Sequence, residues 1–293
     1  MKILMMVPLW KRPDIVRLFI EHMLKPKYAN LVPLFILSNE DPTLHELVRM
    51  TEGFKRFFYK NEPLGEKKNA GMLHALTMQW DYYMDMGSDN IWTENLWDLY
   101  KPYFDKRAEY FGVKNHHVLN YYEDIAYFLP DYHIDAWDKV TALGVGRCIR
   151  RDVVEKNIPL WRDAWHHGMD GCSHFKLTKA GVVCDVIDNG TVPTVIDIKT
   201  NTNLTAAFEI DMVNDRIDAK QIKEQFGIVY TSHCTAYKNF EDFHNAVLKA
   251  SNMTATKEDA FNSINIQYQK STGEKRYSSY NSYKVTVTKK HRK

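Results

Sequence analysis

Several short polar stretches interrupt the apolar runs of this 293-residue chain, and each holds residue types able to do chemistry. Asp89 and Asn90 follow the apolar stretch Tyr82-Tyr83-Met84 and a Gly87-Ser88 turn. With the Ser88 hydroxyl they form a set of oxygen donors, the kind a hard divalent cation takes. Lys67, Lys68 and Asn69 fall in the first turn expected for a helix that follows Pro63-Leu64-Gly65. Two cations beside free backbone N–H groups make an anion site or a solvated helix start. Arg12 lies in LWKRPD, a polar loop closing the first apolar run, and Asp170 lies between glycines in GMDG. An Asp in that setting also suits a helix N-cap. His116-His117 and His166-His167 are candidates for a further metal ligand or for structural use. Trp161 and Trp165 suit either ring stacking or core packing.

These residues need elements to hold them. Lys2 to Val7 reads as a strand buried on both faces, and Ile15, Leu18, Phe19 and Met23 mark a helix opened by Pro13-Asp14. Leu31 to Leu37 is a second strand, closed by Ser38-Asn39-Glu40-Asp41-Pro42, with a helix over about 43–51 and a third strand over 54–59. Strands alternating with helices in this way predict a mostly parallel α/β sheet with helices on its faces. Asp89 then falls at the carboxyl end of a strand, where open α/β sheets bind ligands. Further along, the pattern predicts an amphipathic helix over 93–110 with Pro102 dividing it. A hairpin follows over 118–128, then a strand over 141–149. Gly144 and Gly146 lie in that last strand and point to close approach of a ligand or another backbone. A helix from Arg150, another ending at Lys179, and strands over 182–186 and 194–198 come next. Asp197 and Lys199 end the last strand as a candidate buried ion pair.

Beyond about position 210 no further buried strand is evident, and helices are expected over 214–226 and 240–250. The organisation expected is a sheet domain over 1–210 and an accessory helical and basic region over 211–293. Net charge is +2, from 39 basic and 37 acidic residues, but it is unevenly spread. The 24 residues from Lys270 to Lys293 hold eight basic residues and one acid, leaving the other 269 at −5. Tyr268, Tyr277, Tyr280 and Tyr283 interleave with those cations, a pattern suited to a phosphate backbone and stacked bases or to a solvated tail. Tyr277 to Val287 alternates enough to form a strand. Cys148, Cys172, Cys184 and Cys234 show no CxxC spacing, so neither a zinc site nor a redox pair is expected. A reduced, cytoplasmic setting is the simpler reading, and no apolar run approaches the ~20 residues that span a bilayer.

Taken in order, PLWKRPD, LSNEDP, PLGEKKNAGM, MDMGSDN, GVGRCIRRDV and GMDGCSHFKL resemble a glycosyltransferase of the GT-A fold, closest to the family-2-like enzymes often encoded by bacteriophages. The resemblance spans roughly residues 1–205. It implies a Rossmann-like sheet that binds a nucleotide-sugar donor, with Pro8, Arg12, Glu40 or Asp41, Lys67, Lys68, Asn69, Ser88 and Asp89 around the donor. It also implies a divalent metal, Mn2+ or Mg2+, on Asp89. Gly87 stands where the family's Asp-x-Asp motif has its first acid, and Asp85 reaches that place only if the strand end bends. Gly144, Gly146 and Arg147 correspond to the part lining sugar and acceptor, and Asp170 to the catalytic base of inverting members.

The leading expectation is therefore a hexosyl- or pentosyltransferase. Some phage-type relatives add sugars to hydroxymethylated bases, so DNA bound through the basic C-terminus is the leading acceptor, placing the protein in a host cytoplasm. A glycan, lipid or protein acceptor stays open. So do a sugar-nucleotide nucleotidyltransferase, which would carry a glycine-rich loop after strand one that LWKRPD lacks, and a non-enzymatic nucleic-acid-binding protein, which Gly87 favours.

Overall fold

A computed structural model of the chain describes residues 1–25, 30–49, 51, 53–120, 125–132, 140–166, 168–199, 216–228, 240–251, 256–272 and 276–290. His167, Cys234, Asn214, positions 121–124 of the hairpin, and 273–275 and 291–293 of the basic tail lie outside the described residues.

The first strand, β1 (Ile3–Pro8), shows why a sheet forms at all. Ile3 to Val7 are at most 3% exposed. Ile3, Met5 and Val7 enter one apolar cluster while Leu4 and Met6 enter another, as the two-residue period of a strand dictates. β2 (Leu31–Leu37), β3 (Lys55–Phe58) and β4 (Tyr82–Asp85) join β1 in parallel, in the order β3-β2-β1-β4. The sheet continues through β9 (Cys148–Arg150), β6 (Tyr110–Val113) and β10 (Asp185–Ile187). β9 runs antiparallel to both neighbours, and β10 is parallel to β6. On one face pack α1 (Pro13–Met23), α2 (Pro42–Arg49) and α4 (Asn95–Asp105), through residues such as Phe19, Leu44 and Tyr100. On the other pack α3 (Leu64–Ala75), α5 (Arg151–Asn157) and α6 (Met169–Lys179), through Met72, Val154 and Leu177. The result is a mixed α/β fold with a mostly parallel central sheet between helices, as expected.

A second sheet was not expected. β5 (Asn90–Trp92), β7 (His116–Asn120), β8 (Ile125–Leu129), β11 (Val195–Lys199) and β12 (Arg216–Ile217) pair in the order β12-β8-β7-β11-β5. The expected hairpin is present as β7 and β8. α7 (Ala219–Phe226) covers this sheet through Ile222 and Phe226, so elements beyond position 210 pack on it. β4 and β5 are separated only by residues 86–89, so the Asp89 turn is the corner where the chain passes from one sheet to the other.

Other expectations need correction. The helix expected over 93–110 ends at Asp105, because Arg107 takes a left-handed φ of 57° and Tyr110 begins β6. The strand expected over 141–149 is confined to β9. Residues 141–147 bend instead, with Gly146 at φ 79° and its N–H donating to the Asp85 carbonyl at 2.8 Å. The alternating stretch is helical from Tyr280 on: α8 (Phe240–Ser251), α9 (Lys257–Thr272) and α10 (Tyr280–Lys290) form a separate apolar cluster around Phe243, Phe261 and Tyr283. Tyr268, Tyr277 and Tyr280 pack against that cluster. Of the tyrosines that alternate with cations in sequence, Tyr283 is thus buried and the other three are partly so.

Candidate functional site

Parallel strands β1, β2 and β4 all end at one edge, and their closing loops meet there. After Leu9 the chain takes two successive non-glycine residues into left-handed backbone, Lys11 at φ 54° and Arg12 at φ 52°. Such positions cost about 1–3 kcal/mol each and persist where the surroundings enforce them. Two carboxylates do so here. The Lys11 N–H donates to Asp41 Oδ2 at 2.6 Å, and Arg12 Nη1 donates to Asp89 Oδ2 at 2.9 Å. Pro8 closes β1, and Glu40, exposed beside Asp41, contributes charge to the same edge.

The start of α3 delivers its cations inward. Lys67 is fully buried and donates to the Leu9 carbonyl at 2.8 Å and to Asn61 Oδ1 at 3.2 Å. Burial pushes its ammonium down to about 8, against the opposing pull of Glu40 and Asp41. Lys68 pairs with Asp85 Oδ1 at 2.9 Å and lies over the Trp161 ring at 4.4 Å. Asn69 donates to the Trp161 carbonyl at 2.8 Å and to Asp163 Oδ1 at 2.7 Å, which fastens the 161–163 loop to α3. Gly65 lets that loop approach, since a Cβ there would meet the Arg162 carbonyl oxygen at 2.0 Å. Lys67 and Lys68 therefore shape the edge through protein partners. Of the tryptophan pair, Trp161 is core and Trp165 is 38% exposed.

At the corner between the sheets, Asp89 is held by more than Arg12. The Ile198 N–H donates to its carbonyl at 2.8 Å, and Lys199, paired with Asp197 Oδ2 at 2.6 Å, acts on its carboxylate. Burial works to raise the Asp89 carboxyl, but Arg12 and Lys199 outweigh it and hold it below the ordinary carboxylate value. Burial raises Asp197 despite Lys199, with the charge on Asp89 adding to the effect. Ser88 is buried beside them, and Asn90 donates to Asp197 Oδ1 at 3.3 Å.

These donors do not fit the metal grip that the resemblance implies. A Cβ at Gly87 would lie 2.5 Å from Asp89 Oδ1 and 2.9 Å from Asn90 Oδ1, so a side chain there would oblige those two side chains to shift. Asp85 is turned to Lys68, Arg147 and the Tyr83 hydroxyl, the last at 2.7 Å. Among the described residues no three His, Cys, Asp or Glu side chains group to hold a metal ion. His116 and His117 are buried in β7 and kept neutral: burial and the Lys199 charge push His116 down to about 3, and burial pushes His117 down to about 4. His166 is exposed. A dication on the Asp89 carboxylate would also have to compete with the Arg12 guanidinium already bound there.

The second half of the site is built by the bend over 141–147 and the start of α6. The N-cap of α6 is Gly168, at φ 64°, so Asp170 is not the cap but lies in the first turn. Its Oδ2 accepts from the Tyr132 hydroxyl at 2.5 Å. Gly144 packs directly on it, since a Cβ at that position would meet the Asp170 Cβ at 2.7 Å. Arg147 lies wholly buried behind this pair. It donates through Nη2 to Ser173 Oγ at 2.7 Å and lies 3.9 Å from Asp85 Oδ2. The Asp170 charge also acts on Arg147. Gly146 accepts the Tyr100 hydroxyl at 2.9 Å. The structure thus brings Gly144 next to Asp170, and ties that pair through Arg147 and Asp85 to the β4 end. Tyr132 carries no sequence signal, being 38 residues away in no motif. Lys199 was visible only as half of an ion pair. A cleft lined by Trp80, Lys106, Arg107, Arg150 and Arg151 involves none of these residues, its strand members coming from the start of β4 and the end of β9.

The fold and edge together define an open α/β protein whose polar cluster occupies the carboxyl ends of its parallel strands, the place where such sheets bind ligands. No family model matches the chain, and no curated protein sequence matches it. Among solved structures it is similar to S. aureus TarS 1–349, at 11% identity over 98% of this chain and 78% of that one, with a TM-score of 0.48. Mannosyltransferase PcManGT from Pyrobaculum calidifontis, solved with GDP-Man and Mn2+, aligns at 10% identity over 99% of this chain and 79% of its own, TM-score 0.48. A 4-diphosphocytidyl-2C-methyl-D-erythritol synthase aligns at 9% over 72% and 96%, TM-score 0.46. At these values the likenesses carry no argument about substrate or chemistry.

Proposed function

We propose that the protein is a glycosyltransferase that moves a hexosyl or pentosyl group from a nucleotide-sugar donor to an acceptor hydroxyl. One observation carries the reading. Three loops that the sequence places far apart, around Arg12, Asp41 and Asp89, interlock at the carboxyl edge of β1, β2 and β4, with Asp170 tied to the same edge through Arg147 and Asp85. In the reaction the bond from the anomeric carbon to the diphosphate oxygen breaks and its electron pair leaves with the diphosphate. The acceptor oxygen bonds to that carbon, and its proton passes to the Asp170 carboxylate. The Tyr132 hydroxyl and the close packing of Gly144 fix where that carboxylate points.

The acceptor we propose is a hydroxymethylated base in DNA, within a host cytoplasm. Its support is the family resemblance together with the exposed cations Lys284 and Lys289 of α10, because the neighbouring tyrosines are occupied in packing. The test is release of nucleoside diphosphate from UDP-glucose, GDP-mannose and related donors, with unmodified DNA, hydroxymethylcytosine DNA or no acceptor. Release stimulated by the modified DNA alone supports both parts. Release indifferent to DNA removes the acceptor, and absence of turnover with every donor removes the enzyme.

A further inference from the structure

The resembled family neutralises the departing diphosphate with a divalent metal, and the Asp89 turn has a different arrangement. Asp89 and Asp197 are each matched to a cation: Arg12 at 2.9 Å from Asp89 and Lys199 at 2.6 Å from Asp197. The four side chains are only 13–15% exposed, so they are enclosed yet open to one side. Asp89 engages Nη1 of Arg12, and a guanidinium carries five N–H donors in a fixed fork, a geometry that matches phosphate oxygens. Arg12 also stands in a left-handed loop position that a flexible surface arginine has no reason to occupy.

Building on the glycosyl-transfer reading, we infer that Arg12, oriented by Asp89 and backed by Lys199, is the diphosphate-binding cation of this protein and takes the place of the divalent metal. The roles at the turn are thereby exchanged: Asp89 holds an arginine instead of a metal ion, and the arginine receives the phosphate charge. Gly87 is then in keeping with the turn, since a Cβ there would press on the Asp89 carboxylate that holds Arg12. His116 stays neutral beside Lys199 and adds no charge of its own.

The experiment is calorimetric titration of the full chain with UDP, GDP and ADP and with the matching nucleosides, first after exhaustive dialysis against EDTA and then with MnCl2 added. At least one diphosphate is expected to bind in EDTA, with MnCl2 changing its dissociation constant by less than ~3-fold. Arg12→Ala should weaken that diphosphate by at least ~10-fold and leave the nucleoside within ~2-fold, since the lost partner is charged and belongs to the phosphate. Arg12→Lys, which retains charge but not the fork, should fall between. Unfolding curves of both variants establish that they are folded. Diphosphate binding that appears only with MnCl2 overturns the inference, as does equal weakening of diphosphate and nucleoside in folded Arg12→Ala. Should no diphosphate bind wild-type protein in either condition, it is the glycosyl-transfer reading that fails.

Discussion

The carboxyl edge of the central sheet and the three C-terminal helices use the same residue types in opposite ways. At the edge the charges go inside: Lys68 with Asp85, Arg12 with Asp89 and Lys199 with Asp197, each pair mostly shielded from water. In the helices the aromatic rings go inside, with Phe261 stacked on Tyr283 at 5.1 Å, while Lys284 and Lys289 stay exposed. An isolated amphipathic helix cluster can only sort residues by polarity. A doubly covered parallel sheet ends in loops that must satisfy each other, which creates room for enclosed, paired charge. Buried charge therefore marks where this molecule has invested in specificity, and the basic, aromatic C-terminus is first of all a small core.

The sharpest way to break that contrast is Asp85→Ala. It strands the buried Lys68 and Arg147 without their carboxylate, and should destabilise the protein by about 3–5 kcal/mol in denaturant unfolding. Glu258→Gln at an exposed position of α9 should shift stability by under ~0.5 kcal/mol. A loss below ~1 kcal/mol for Asp85→Ala would mean the enclosed pairs matter no more than surface ones.

Phe261→Ala tests the other side. The lost packing should cost about 3–5 kcal/mol within the helical cluster. Near-ultraviolet signals from Trp92 and Trp161, which belong to the sheet's two cores, should persist to higher denaturant than helix content does. Simultaneous loss of both signals would show that the two regions fold as one unit.

Lys67 gives the contrast a pH signature. Its ammonium titrates near 8 when folded and near 10.5 when unfolded, so between those values the unfolded chain holds more protons and stability rises with pH. Relative to Lys67→Met, wild-type stability should climb by roughly 1–2 kcal/mol from pH 8 to 9.5. Parallel pH profiles would place the ammonium in water. At the acid end the sign is the same: His116, His117 and His174 are held down to about 3, 4 and 4. Stability should accordingly be lost as pH falls below 6.5, and His116→Asn should blunt that loss.

The smallest effect concerns the exposed cations. Lys284→Ala with Lys289→Ala should lower the slope of log affinity for duplex DNA against log salt by at most about 2. Tyr283→Phe should leave DNA affinity unchanged, since that ring is in the cluster and its hydroxyl bonds His244 at 2.6 Å. A tenfold loss in Tyr283→Phe would return the tyrosines to the acceptor surface.

Much of the sheet was legible because a strand buried on both faces can only be written as an apolar run. β1, β2 and β4 are visible in this way, whereas the mostly exposed β3, the helix start at Pro13 and the β7–β8 hairpin were read from local pattern, and the helix expected after Gly65 already begins at Leu64. The placement of Asp89 at a strand's carboxyl end followed from alternation alone. β5 and β6 were missed because strands of three and four residues carry too few periods to stand out beside the long helix α4. The strand expected over 141–149 failed because an apolar run with two glycines serves equally for a bend wrapped around Asp170.

By itself, then, the sequence determined the layered α/β core and the set of side chains available at its edge, because burial and periodicity are properties of neighbours along the chain. Only the tertiary structure decided the partners. Lys67 and Lys68 read as an anion site, yet their ammonium groups reach Leu9 and Asp85. Asp89 read as a metal ligand, yet Arg12, 77 residues away, meets it first. Aromatic and basic residues alternating after Lys270 read as a nucleic-acid platform, yet the tyrosines there pack against Phe243 and Phe261. Charge pairing falls off within a few ångströms, so it is settled by which loops the sheet's topology brings to one edge.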